Sequence, residues 1–348
     1  MTTDKDFMKR CFQLAKMGAG HVSPNPMVGA VIVHNGKIIG EGYHKKYGEA
    51  HAEVNAVNSV KDKSLLKDST IYVSLEPCCH YGKTPPCAKL LVDNKLKKCV
   101  IANRDTNPKV DGGGIKILKD NGIEVVTGVM EEEGRWLNRR FFCNQENKRP
   151  YIIIKYAQSK DGFIDIDREE NPNQNYWFTN DAMKVFVHKQ RAEEDAIMVG
   201  YNTVVNDNPS LTVREYSGKN PFRVVYDRDC SLSKDRKIFD SSSRTIVFNN
   251  VKDSIEVNVE YIKLQSKENY LKEILSKLYS KGIGSIIIEG GKNTIEAFLE
   301  NNLWDEAYVL TGNGTIGKGT KKPAIPTNKK ISTRVVGDNR LDFYINNI

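Results

Sequence analysis

A chain with a histidine at 51, a carboxylate at 53 and thiols at 78 and 87 must bring three separate segments to one point if those groups share a metal. His51, Cys78 and Cys87 offer one imidazole nitrogen and two thiolates. Those are zinc donors, and three protein ligands leave a tetrahedral position open for water. A cation there draws the pKa of that water towards neutrality, which makes the site hydrolytic. Glu53 lies at the start of a helix expected over 51–60, where it can reach the water without joining the metal and carry its proton to a leaving amine. Pro86 suits a first helical position, which puts Cys87 in a first turn where the helix dipole favours a thiolate. Cys78 follows a strand expected over 70–75. The competing arrangement is a closed structural site with Cys79 or His80 as fourth ligand, and a carboxylate two residues from the histidine speaks against it.

The rest of the chain sets a frame for this cluster. Its 348 residues exceed one typical domain. Residues 144–150 contain no apolar member, and the periodicity restarts after them, so we expect domains over 1–149 and 150–348. In the first half, short apolar strands alternate with amphipathic helices: a helix over 7–18, strands over 28–33 and 38–43 joined at Asn35-Gly36, a strand over 99–102 and a helix over 114–121. Such alternation implies an α/β sheet with helices on both faces. The second half reads as another α/β unit, with a strand over 151–157, a helix capped by Thr179 or Asn180 and a buried strand over 196–199.

Composition excludes some classes. No apolar run is long enough to span a bilayer, and the start lacks the apolar core of a secretory signal, so no membrane partner and a cytoplasmic location are expected. Seven cysteines, three of them between 78 and 87, favour metal use in a reducing compartment over a disulfide framework. The net charge of +8 without a dense basic run leans towards small phosphorylated ligands rather than nucleic acid.

Several polar groups near the metal segments can hold a substrate: Asn25 before Pro26, Lys83 between the thiols, and Asp105 and Asn107 after a strand end, where ligands of open α/β sheets tend to bind. The same residues also read as plain turn formers. His21, His34, His44 and His188 lack metal-ligand spacing and read as surface or packing residues. In the second half, Gly290-Gly291 between a buried strand and a helix lets backbone amides approach a pyrophosphate, or simply makes a tight turn.

The H-x-E of His51-Ala52-Glu53 and the Pro77-Cys78 pair match the zinc deaminase signature. The longer run from Leu75 to Cys87, with Asn25-Pro26 and Val28-Gly29-Ala30 upstream, resembles the riboflavin-pathway deaminase family, in which the zinc domain is usually fused to a reductase. Lys155 to Gly162, Trp177-Phe178-Thr179, Arg191, Gly200 to Thr203, Asp207 to Arg214 and Glu289-Gly290-Gly291 resemble that reductase. The resemblance implies a cytidine-deaminase-like α/β/α domain followed by a dihydrofolate-reductase-like α/β domain, with Zn²⁺ in the first and NADPH in the second. It assigns Asn25, Lys83, Asp105 and Asn107 to a phosphoribosylaminopyrimidine. Ala157, Trp177, Thr203, Asp207, Gly291, Lys292, Asn293 and Thr294 fall to NADPH. Lys155, Asn175, Arg191, Leu211, Arg214 and Glu289 face the reductase substrate, with the two arginines at its phosphate and Glu289 or Lys155 as proton donor. The implied reactions are hydrolytic deamination of a diaminopyrimidinone, then reduction of its ribosyl group to ribityl. A homo-oligomer is expected. Two other readings use the same residues: a nucleic-acid editing deaminase with an RNA-binding second domain, and a reductase scaffolded by a structural zinc.

Overall fold

The structure is a computed structural model that describes residues 3–81, 85–171, 176–266 and 268–346. Lys83 and Asn175 lie outside the described residues. The chain forms two compact units, Met1–Lys148 and Arg149–Ile348.

The first unit contains α1 (Asp4–Lys16), β1 (Gly29–His34), β2 (Lys37–Tyr43), α2 (Ala52–Ser59), β3 (Thr70–Leu75), α3 (Cys87–Asp93), β4 (Lys98–Asn103), α4 (Gly113–Asp120), β5 (Glu124–Thr127), α5 (Glu131–Leu137) and α6 (Arg139–Asn147). Its sheet runs β2-β1-β3-β4-β5, antiparallel across the first three strands and parallel across the last three. Asn35 and Gly36 both take positive φ, the conformation a two-residue hairpin between β1 and β2 demands. Alternate side chains of β1, β3 and β4 enter different cores. Ala30, Ile32, Ile71, Val73, Cys99 and Ile101 pack with α2, α3 and α4. Val31, Val33, Tyr72, Val100 and Ala102 pack with α1 and Leu137 of α5. The period of two thus fixes a three-layer α/β/α unit. Helix α1 begins three residues earlier than the apolar periodicity predicts, because Thr3 and Asp6 form a capping box ahead of Phe7.

The second unit contains β6 (Tyr151–Gln158), β7 (Phe163–Ile166), α7 (Asp181–Glu193), β8 (Ala196–Gly200), α8 (Tyr201–Asp207), β9 (Phe222–Tyr226), β10 (Thr245–Asn249), β11 (Ser254–Ile255), β12 (Val259–Lys263), α9 (Tyr270–Ser280), β13 (Ser285–Ile288), α10 (Lys292–Glu300), β14 (Glu306–Thr311), β15 (Gly319–Lys321), β16 (Lys330–Val336) and β17 (Asn339–Ile345). Ten strands make one mixed sheet in the order β11-β12-β10-β9-β8-β13-β6-β14-β17-β16, and β7 pairs separately with β15. From β8 the chain builds outward through β9, β10 and β12, then returns to insert β13 between β8 and β6, parallel to both. That reversal is a switch point, where neighbouring connections diverge and leave a crevice at the carboxyl ends of the strands. One face of the sheet is covered by α9 and α10 through Ile274, Leu278, Ile295 and Phe298. The other receives Val204 of α8 and, further along, Met183 of α7.

Two candidate active sites

The first site lies at the carboxyl ends of β3 and β4. His51 is the N-cap of α2 and makes no side-chain cap bond, so its ring is available to turn to the sulfurs. Its Nδ1 lies 3.5 Å from Cys78 Sγ and 3.3 Å from Cys87 Sγ. Ligands about 2.0–2.3 Å from one tetrahedral ion stand roughly 3.6 Å apart. The donor set therefore fits zinc in chemistry and spacing, and these are the ligands that would hold it. Among the described residues no other metal-binding cluster occurs. Cys79, the rival fourth ligand, turns away and donates to the Lys109 carbonyl.

Hydrogen bonds from Cys87 and His51 push the Cys78 thiol down, while hydrogen bonding to Cys78 and burial push Cys87 well up. Glu53 is buried at the start of α2, and burial pushes its carboxyl up to about 7.

Around these groups the expected substrate residues fall into place unevenly. Asp105 is buried beyond β4, with burial pushing its carboxyl up to about 6, and its Oδ1 accepts the Asn107 amide. Asn107 in turn accepts from the Lys109 amide. Both residues thus make the local turns that their type favours. Glu76, which the sequence does not single out, sets this loop. Its Oε2 accepts from the amides of Asp105 and Gly112 and its Oε1 from that of Ile115, tying the loop after β4 and the start of α4 to the residue before Pro77-Cys78.

His44 is a packing residue, one of the two roles its sequence context allows. It is buried, its ring centroid lies 5.3 Å from that of His51, and its Nδ1 is 3.1 Å from the Ala50 carbonyl. That contact places the proton on Nδ1, so Nε2 accepts from Asn25 Nδ2 at 3.2 Å. Asn25 is thereby oriented by a histidine that has no motif around it. The one local cue is its place just past β2.

The second site is a cavity of about 990 Å³ in the second unit, at the upper end of ligand-pocket sizes. Strand ends supply Lys155 and Ala157 from β6, Gly200 from β8 and Glu289 after β13. Every described residue that the resemblance assigns to cofactor or substrate in this half lines it. Gly291 caps α10 with φ 44°, a left-handed value that favours glycine, and the first turn of that helix, Lys292 to Thr294, faces the cavity. An anion there meets unpaired helical amides and the positive end of the dipole. The lining therefore fits a dinucleotide phosphate beside a smaller ligand.

The charged centre of this cavity is a largely buried triad. Glu289 Oε1 lies 2.9 Å from Lys155 Nζ, and Oε2 lies 2.7 Å from Arg191 Nη2. The two cations outweigh the cost of burial and hold Glu289 down to about 2, whereas burial lowers Lys155. Arg191 also donates to the Thr212 carbonyl, and its remaining N–H groups stand at the cavity lining. Arg214 has no acidic partner among the described residues and donates to Thr212 Oγ1. Leu211 beside it holds φ 54° while buried, a conformation uncommon for its type. Asn180 caps α7, accepting the Met183 amide, and so aims Lys184, His188 and Arg191 along one helix face into the cavity. Arg168, inside the polar stretch after β7, bridges Asp165 and Asp207 at the cavity wall.

No described helix is long and apolar enough to cross a membrane. Residues 1–103 match the family model of the cytidine and deoxycytidylate deaminase zinc-binding region, and residues 150–339 that of the RibD C-terminal domain. The chain is 39% identical over 337 residues to the riboflavin biosynthesis protein RibD of Actinobacillus pleuropneumoniae, covering 92% of this chain and 87% of that protein. It is 37% identical to the RibD of Aquifex aeolicus, covering 91% and 88%. Among solved structures it resembles a diaminohydroxyphosphoribosylaminopyrimidine deaminase/5-amino-6-(5-phosphoribosylamino)uracil reductase from Thermotoga maritima, with TM-score 0.88, 36% identity and 98% coverage of both chains.

Proposed function

The chain belongs to the RibD family of bifunctional riboflavin-biosynthesis enzymes, and on that premise we propose that residues 1–149 deaminate at His51, Glu53, Cys78 and Cys87 while residues 150–348 reduce around Lys155, Arg191 and Glu289. The enzyme uses Zn²⁺ and NADPH. The observation that carries the assignment is a three-donor set, one imidazole and two sulfurs, with a buried carboxylate beside it.

Zinc held by His51, Cys78 and Cys87 would supply a water acidic enough to attack the amine-bearing ring carbon near neutral pH. Glu53 takes that water's first proton to the ring nitrogen, then carries the proton of the hydroxyl left on the carbon to the amine, so that the C–N bond breaks, the carbonyl forms and ammonia leaves. Asn25, oriented by His44, and Asp105, positioned by Glu76, hold the pyrimidine. Lys83 is assigned to its phosphate.

NADPH, when bound, would supply hydride to the former anomeric carbon of the ribosylamino group. For that the ring C–O bond breaks, its electron pair stays on oxygen, which takes a proton from Lys155, and the carbon becomes a protonated imine that keeps the nitrogen's hydrogen. Glu289 stays ionised beside Arg191 and Lys155, so it is the orienting partner, and Lys155 is the proton donor. Ala157, Trp177, Thr203, Asp207 and Gly291 to Thr294 bind NADPH. Asn175, Arg191, Leu211 and Arg214 join Lys155 and Glu289 around the substrate. The enzyme works on a small phosphoribosylaminopyrimidine without nucleic acid, as a cytoplasmic homo-oligomer.

The test follows ammonia release and NADPH consumption with the diaminopyrimidinone phosphoribosyl substrate. Ammonia followed by NADPH oxidation is the expected course. Deamination of RNA in place of this substrate, or NADPH oxidation without ammonia, would replace the reading by one of its rivals.

A further inference from the structure

His188 lies on α7 four residues after Lys184 and three before Arg191, so all three share the helix face that lines the reductase cavity. The ring is buried, and its two nitrogens differ. Nδ1 accepts the backbone amide of Arg214 at 3.0 Å. Nδ1 is therefore unprotonated, and in the neutral ring the proton sits on Nε2. No described residue is hydrogen-bonded to Nε2, at a position beside the cavity. The charged groups around the ring are Arg191, Arg214, Glu215 and Glu289. Burial, then Arg191 and Arg214, push the imidazole down to about 4, so near neutral pH it offers one donor and no charge.

The neighbouring guanidiniums have unequal duties. Arg191 uses Nε and Nη2 on Glu289 and Nη1 on the Thr212 carbonyl. Arg214 gives Nη1 to Thr212 Oγ1 and keeps a charge with no acidic partner among the described residues. Thr212 thus sets the two side by side, with Arg191 turned to the carboxylate and Arg214 left for an anion.

We propose that His188 is a phosphate-binding residue of the reductase site: the Arg214 amide fixes the ring through Nδ1, and Nε2–H donates to a phosphate oxygen of the substrate beside the Arg214 guanidinium. The pair specifies a phosphomonoester, and Arg191 serves Glu289. This rests on the reductase reading of the second unit.

Two substitutions in the full-length enzyme separate binding from anchoring. Asparagine places an amide oxygen near the position of Nδ1 and no donor at Nε2, whereas glutamine reaches the Nε2 position with an N–H. NADPH oxidation is measured with the deaminated phosphoribosylaminopyrimidine and with its dephosphorylated form. His188→Asn raises KM for the phosphorylated substrate about 10- to 100-fold, the effect of losing one hydrogen bond to a charged group, and leaves KM for the dephosphorylated form and for NADPH unchanged. His188→Gln keeps the preference for phosphate. The proposal is overturned if His188→Asn keeps the wild-type preference, or if either variant weakens both substrates alike, as an anchor for the Arg214 backbone would. A wild-type enzyme that does not oxidise NADPH with the deaminated substrate overturns the reductase reading itself, an outcome distinct from either variant result.

Discussion

Arg191 on α7 places Nη2 2.7 Å from Oε2 of Glu289, which follows β13 almost a hundred residues later, and so ties a helix face to the switch point of the sheet. Lys155 meets the same carboxylate from the opposite oxygen. A carboxylate shared by two buried cations is costly to remove alone, because both charges then lose their partner.

Glu289→Gln should therefore lower both activity and stability. Breaking a buried pair from one side costs about 3–5 kcal/mol, and without Glu289 the Lys155 ammonium loses its orientation, so NADPH oxidation falls while ammonia release continues. The pH dependence has a definite sign. Glu289 has a folded pKa of about 2, below the ~4.3 of an unfolded glutamate. Its contribution is present above about pH 4 and is lost as pH falls through about 2, and a shift of this size is worth about 3 kcal/mol. Thermal melts of wild type and variant should differ by a constant amount from neutral pH to about pH 5 and converge below about pH 4. A gap that does not narrow in acid would show that the carboxylate is not ionised in the folded enzyme.

Glu53→Gln should stop ammonia release and leave zinc in place. The side chain is buried and the substitution nearly isosteric, and the metal-donor cluster is made by His51, Cys78 and Cys87. Loss of a positioned general acid–base costs about 10²- to 10⁴-fold in rate. Zinc content by elemental analysis should match wild type, as should NADPH oxidation with the deaminated substrate. A variant that still releases ammonia at the wild-type rate removes Glu53 from the proton path.

Removing the metal separates the two units functionally. The thiols and imidazole all come from the first unit, and the described residues that line the reductase cavity come from the second. Dialysis against a strong chelator should abolish ammonia release, with recovery on added Zn²⁺, and leave NADPH oxidation with the deaminated substrate intact. Loss of both activities together would mean that zinc supports more than the deaminase.

These sites were readable from sequence to different depths. The clustering of His51, Cys78 and Cys87 was legible because His51-Ala52-Glu53 opens one helix and Pro86-Cys87 another, so donor chemistry and local structure coincide. The hairpin at Asn35-Gly36 was legible for the same reason, since its positive φ values are a local demand. The hydrogen bonds of His44 and His188 were not, because each has a partner distant along the chain, Asn25 in one case and the Arg214 amide in the other. The insertion of β13 between β8 and β6 was also invisible. Three consecutive isoleucines, Ile286 to Ile288, announce a buried strand without saying which strands flank it.

Gly114 tests whether the start of α4 positions the metal loop. A Cβ at that residue would stand 1.9 Å from the Pro77 carbonyl oxygen, a backbone atom that cannot rotate aside. Helix α4 would have to retreat, and Glu76 would lose its bonds to the Gly112 and Ile115 amides. Because Glu76 precedes Pro77-Cys78, that retreat displaces a ligand and Asp105 together. Gly114→Ala should cost about 1–3 kcal/mol, as overpacking does, weaken zinc binding measured by competition with a chromogenic chelator, and slow ammonia release. Glu76→Gln, which keeps the shape and removes the charge, should weaken zinc in the same direction by a smaller amount. Wild-type zinc affinity in Gly114→Ala would show that the loop holds its ligands without help from α4.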